Sequence, residues 1–101
     1  MAGKTEMNNM LAVCWAASQG DLNELQRLVA SGVDLSQGDY DGRTGLHLAA
    51  SEGHEEIVRF FISKKVDTSP RDRFGGTPLA DAIRGNHVKV IEVLKKHNAK
   101  K

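Results

Sequence analysis

An all-α solenoid of stacked helix pairs is the fold this sequence predicts, and three observations predict it. The first is a 33-residue step. Thr44, Leu46, Ala49 and His54 recur as Thr77, Leu79, Ala82 and His87, and Asp39 recurs as Asp72. One step back, Ala49, Ala50 and Gly53 fall on Ala16, Ala17 and Gly20. The second is that apolar residues between the breaks have helical spacing. The third is the punctuation, with glycine or proline bounding each short periodic run. Each unit of such a repeat is one supersecondary element that cannot bury its apolar face alone, so neighbours must pile up. Such stacks bind other macromolecules along an extended surface and seldom perform chemistry.

The middle of the chain is clearest. Residues 44–50 read as a short helix, with the Thr44 hydroxyl capping its first turn and Gly53 ending it. A second helix starts near His54. Ile57, Val58, Phe61 and Ile62 form one apolar stripe, and Glu55, Glu56, Arg59 and Lys64 lie opposite. Acids near its start and bases near its end suit the helix dipole. Residues 65–76 have no helical period and contain Pro70, Gly75 and Gly76, which predicts a turn-rich connector. The third unit copies the second. Pro78 takes the first helical position, and Val88, Ile91, Val93 and Leu94 supply the apolar face of its second helix. The first unit is expected to have helices only: one from Asn9 to Ser18, broken by Gly20, and one capped by Asp21 and carrying Leu22, Leu25, Leu28 and Val29. The expected organisation is a disordered tail at 1–8, units at about 9–38, 39–71 and 72–99 with two intervening hairpin-like connectors, and a basic tail at 100–101.

Composition narrows the function. The chain has 101 residues, one domain by length, with 14 Lys and Arg against 13 Asp and Glu. A net charge of +1 gives no electrostatic footprint for nucleic acid or a membrane surface. The lysines at 95, 96, 100 and 101 read as a solvated helix end. No apolar run approaches the roughly 20 residues needed to span a bilayer. The single cysteine, Cys14, allows no internal disulfide and suits a reducing compartment.

The recurring residues resemble a known family. Asp39-x-x-Gly42-x-Thr44-x-Leu46-His47-x-Ala49-Ala50-x-x-Gly53-His54 resembles the ankyrin repeat, as does Asp72-x-x-Gly75-x-Thr77-Pro78-Leu79-x-x-Ala82. The likeness covers residues 9–99 and implies an ankyrin-repeat solenoid. Two departures carry expectations: Gly45 stands where the motif has proline and should loosen that helix start, and Ala80 stands where it has histidine, removing the loop-bracing bonds implied for His47. The residues Asp39-Tyr40-Asp41-Gly42-Arg43-Thr44 and Asp72-Arg73-Phe74-Gly75-Gly76-Thr77-Pro78-Leu79 are further similar to the C-terminal ankyrin segment of kidney-type glutaminases. That resemblance implies a non-catalytic assembly or regulatory segment of an oligomeric mitochondrial enzyme. Similar stretches occur in ankyrin segments of plant potassium channels and Raf-like kinases.

Catalytic and metal chemistry are weighed on particular residues. Stacking would bring Cys14 beside His47, but a nucleophile pair also needs an orienting group and an oxyanion site, and the next position is Ala80. Asp21, His54 and His87 form a second column, better explained by helix capping than by zinc. No phosphate-binding loop is present, and no Ser-x-x-Lys of the kind expected of a glutaminase catalytic domain. No cofactor, metal or small-molecule substrate is therefore expected, and the expected partner is a protein or other subunits of a parent enzyme. In ankyrin stacks the ligand surface is formed by hairpin tips and short inner helices, which implies Ser18, Gln19, Tyr40, Asp41, Arg43, Ser51, Glu52, Arg71, Arg73, Phe74 and Arg84. Tyr40 and Phe74 are aromatics in polar turns, and Arg43, Arg71, Arg73 and Arg84 form a cationic stripe suited to carboxylates. The competing arrangement folds the aromatics back and pairs the arginines with Asp41, Asp72 and Asp81. Trp15, the one tryptophan, is expected half-buried, with an exposed docking anchor as the alternative.

Overall fold

In the computed structural model, which describes residues 2–97 and 99–100 and side chains from Asn9 onward, six helices form three consecutive pairs. They are α1 (Ala2–Gln19), α2 (Leu22–Ala30), α3 (Gly45–Glu52), α4 (Glu55–Ser63), α5 (Pro78–Arg84) and α6 (Val88–Lys96). The inner helices α1, α3 and α5 pack in a row, and α2, α4 and α6 form a second layer behind them. The stack measures 40 × 28 × 21 Å.

The apolar positions named by the 33-residue step fill its interior. Leu46 and Leu79 are buried, and Ala16, Ala17, Ala49, Ala50 and Ala82 line the seams between inner helices. Phe61, Leu25, Ile57 and Leu94 fill the layer behind. Burying a side chain of this size contributes roughly 1.5–3 kcal/mol.

Caps set the helix starts. The side chains of Asp21, Thr44 and Thr77 accept the backbone N–H groups of Glu24, His47 and Ala80. At α3 the cap is reciprocal, since His47 Nδ1 accepts the Thr44 N–H at 3.0 Å. The expectation of a loose start at Gly45 is therefore corrected. Gly45 is buried, and a Cβ there would lie 2.6 Å from Phe61 Cζ and 3.1 Å from Val13 Cγ1. Its missing side chain lets α3 approach its neighbours.

Two further expectations change at the chain ends. The first helix begins at Ala2, not at Asn9, so residues 2–8, read as a tail, are helical. No proline interrupts them. At the other end, the Lys100 N–H donates to Ser69 Oγ at 2.9 Å, which ties the segment after α6 to the second connector. Residues 1 and 101 of the two expected tails lie outside the described residues.

Candidate protein-interaction surface

The two connectors are copies of one turn. Asp39 Oδ1 accepts the N–H groups of Asp41 (2.9 Å) and Arg43 (3.0 Å), and Asp72 Oδ1 accepts those of Phe74 (2.9 Å) and Gly76 (2.8 Å). Each turn is closed by a backbone bond, Asp39 N–H to Arg43 O and Asp72 N–H to Gly76 O, both 2.9 Å. The side chain thus supplies what a longer ladder would, and no strand is assigned among the described residues. The Gly76 N–H is the largest influence holding the Asp72 carboxyl below its ordinary value, with Phe74, Arg43 and His47 adding and burial opposing.

Inner helices brace the turns. His47 Nε2 donates to Gly76 O at 2.9 Å, and because Nδ1 accepts from Thr44 the ring proton belongs on Nε2. Cys14, one step earlier, does the same job weakly: its Sγ reaches Arg43 O at 3.8 Å. The supposed Cys14–His47 pair is thus two parallel braces. Burial pushes the Cys14 thiol up to about 11, with Asp39 adding and Arg43 opposing, which disfavours a nucleophilic thiolate.

The column of Asp21, His54 and His87 also divides. Asp21 caps α2, but neither histidine makes a side-chain cap bond. An imidazole is longer than the short side chains that cap well. His54 Nε2 reaches back to Ser18 O, and His87 Nε2 to Ser51 O, each at 2.9 Å. These contacts tie each outer helix to the preceding unit's inner helix. They also place Ser18 and Ser51 in the framework through their carbonyls, with Gln19 and Glu52 exposed beside them.

The arginines follow the competing arrangement. Arg43 Nη1 meets Asp72 Oδ2 at 3.0 Å and its Nη2 meets Asp81 Oδ2 at 2.9 Å, so one guanidinium holds two buried carboxylates of the following unit. Asp81 Oδ1 lies 3.5 Å from Arg84 Nη1, an ionic contact without a hydrogen bond. Arg73 joins the two tips, its N–H donating to Asp41 O at 2.7 Å and its Nη1 to Asp41 Oδ1 at 3.3 Å. Arg71 Nη1 donates to Gly75 O at 3.0 Å. Three of the stripe's arginines, Arg43, Arg73 and Arg84, thus meet acids, while Arg71 is held by a carbonyl. The aromatics behave otherwise: Tyr40 is 79% exposed and Phe74 is 80% exposed, with the Arg73 guanidinium 5.4 Å from the Phe74 ring centre. The tips thus carry two aromatics on a cross-braced frame.

Trp15 is 68% exposed, which corrects the half-buried expectation. At its equivalent in the third unit, Asp81 is covered by Arg43 of the preceding unit. Among the described residues no earlier unit performs that service for Trp15.

The family model for ankyrin repeats, in three copies, matches residues 13–101. The chain belongs to the ankyrin-repeat family. The mitochondrial liver isoform of glutaminase from Rattus norvegicus is 40% identical over 97 residues, covering 95% of this chain and 16% of that protein. Serine/threonine-protein kinase 12 of Arabidopsis thaliana is 37% identical over 95 residues, covering 94% of this chain and 21% of that protein. Among solved structures, one chain of the complex described as the Bd0816 predatory endopeptidase from Bdellovibrio bacteriovorus with immunity protein Bd3460 superposes with a TM-score of 0.84 at 39% identity. That match covers 88% of this chain and 47% of the other. The chain thus spans less than half the length of each of these relatives.

Proposed function

We propose that this chain is a non-catalytic protein–protein interaction module and serves as the ankyrin segment of a glutaminase, touching other subunits or a regulatory partner. The observation that carries it is the pair of exposed aromatics, Tyr40 and Phe74, on neighbouring turns held rigid by Asp39, Asp72 and the Arg73–Asp41 link. Aromatics on a preorganised frame lose little entropy on binding and are favoured anchors. The exposed Gln19, Glu52, Arg71, Arg73 and Arg84 form the polar rim, with Asp41 beside them. Ser18, Ser51 and Arg43 act from beneath, by holding the frame. The glutaminase assignment rests on 40% identity across 95% of the chain and would place the protein in mitochondria.

The test is capture of a purified glutaminase catalytic domain on the immobilised chain. Tyr40→Ala with Phe74→Ala should cut retention at least about tenfold while helicity is unchanged. Undiminished capture would remove this surface from the interface. A second reading, the ankyrin segment of a kinase, is favoured by the 37% identity to the Arabidopsis kinase across 94% of the chain. It predicts retention of a kinase domain in place of the glutaminase domain.

A further inference from the structure

Both prolines of this chain follow a hydroxyl residue, as Ser69-Pro70 and Thr77-Pro78. The two hydroxyls stand in opposite circumstances. Thr77 is buried and spends its side chain on the cap of α5, accepting the Ala80 N–H at 3.1 Å. Ser69 is half-buried on the second connector, outside any helix. Its hydroxyl oxygen accepts the Lys100 N–H at 2.9 Å, and its own N–H donates to Asp67 Oδ1 at 2.9 Å. Ala99, the residue before Lys100, packs against the core. The segment after α6 is thus clasped to the connector through one serine. One step earlier in the repeat, Ser36 does something else. Its hydroxyl donates to Asp34 Oδ1 at 2.7 Å within its own turn, and Gln37 follows it instead of proline.

We infer that Ser69 is a phosphorylation site for a proline-directed protein kinase, and that the phosphate tightens the clasp on the C-terminal segment. The residue before a proline is driven into extended backbone, and the proline itself offers no N–H. Kinases of that class select such a segment, and residues 66–72 supply one with no helix to unwind. Releasing Ser69 to the enzyme breaks one exposed hydrogen bond. In the reaction Ser69 Oγ attacks the γ-phosphorus of ATP. The Oγ–P bond forms, the bond from that phosphorus to the β,γ-bridging oxygen breaks, ADP departs, and the hydroxyl proton passes to the kinase's base. The product carries roughly −1.5 to −2 charge at neutral pH. Its surroundings favour that charge. Lys64 and Lys65 follow α4, Lys95 and Lys96 close α6, and all four are exposed, as is Lys100. Between Lys65 and Arg71 the one acid is Asp67. A phosphate oxygen also accepts the Lys100 N–H more strongly than a neutral hydroxyl does.

The test is incubation of the purified chain with magnesium, ATP and a mitogen-activated protein kinase, an enzyme of the proline-directed class. Mass spectrometry locates the modified residue, and NMR follows exchange of the Lys100 amide. The expected result is one phosphate at Ser69 and none at Thr77 or Ser36, with the Lys100 amide exchanging at least about threefold more slowly. Ser69→Ala should take up no phosphate and should speed that exchange, with far-UV helicity unchanged. Ser36→Ala should be modified as the wild-type chain is. A wild-type chain that stays unmodified overturns the inference, as does phosphate uptake that persists in Ser69→Ala. A phosphorylated chain whose Lys100 amide exchanges as fast as before, or faster, overturns the tightened clasp.

Discussion

Gly53 and Asn86 occupy one repeat position with opposite tolerances, and the contrast explains why single residues matter here. Both have left-handed backbone, φ 75° and φ 57°. A Cβ on Gly53 would lie 2.5 Å from His87 Nδ1, where the following unit's imidazole comes to bond Ser51 O. At Asn86 no following histidine presses in, and asparagine tolerates this conformation better than most residues. Gly53→Ala should therefore cost about 2–3 kcal/mol, combining left-handed strain with displacement of a partly buried hydrogen bond, and Asn86→Ala only about 1 kcal/mol. Urea denaturation of both variants decides it, and equal losses would contradict the role given to His87. The sequence made both breaks visible. It concealed the direction of the histidines, since a residue just after a helix break reads as a cap until the neighbouring unit is in place.

At the scale of the elements, Arg43 governs how the second unit meets the third. Asp81 is buried, and Arg43 is its one charge-assisted hydrogen-bond donor. Removing one partner of a buried pair leaves the other uncompensated, so Arg43→Ala should cost about 3 kcal/mol, read from the urea midpoint. A loss near zero would mean that Arg84 suffices. Acid should weaken the same junction. The folded Asp72 carboxyl titrates below its ordinary value of 3.8, so its contribution is complete above that value and is lost as pH falls through the folded one. Stability should begin to fall only as pH drops below about 4 and should go on falling through the folded value, and Asp72→Asn should flatten that dependence. The helix pairs themselves were legible, because apolar spacing and caps are local. The arginine pairings were not settled in advance. Arg43 lies 29 residues from Asp72 and 38 from Asp81, and only the offset between successive turns decides whether it faces solvent or those acids. Trp15 was hidden for the same reason, since its exposure depends on what stands one unit away, while Gly45 is decided by the close approach of Phe61 in its own unit and Val13 in the preceding one.

Across the whole molecule, the main helix–helix contacts among the described residues run within a unit or between adjoining units, so stability should be graded along the stack. The pair α3–α4 is packed from both sides, by α1 and α2 before it and by α5 and α6 after it. Amide hydrogen exchange should therefore be slowest in α3 and α4 and faster in α6, whose outward flank leaves Val88 56% exposed. Equal protection of α4 and α6 would argue for a single all-or-none unit. The far end of the array has one more property. Ile83 stands where the earlier units have the sealed alanines Ala17 and Ala50, and Asn86 stands where they have Gly20 and Gly53. Those two side chains occupy the space an incoming copy would need for its helix and its imidazole. An engineer wishing to lengthen the rod by duplicating residues 39–71 would first have to shave this face, with Ile83→Ala and Asn86→Gly, before the graft could seat.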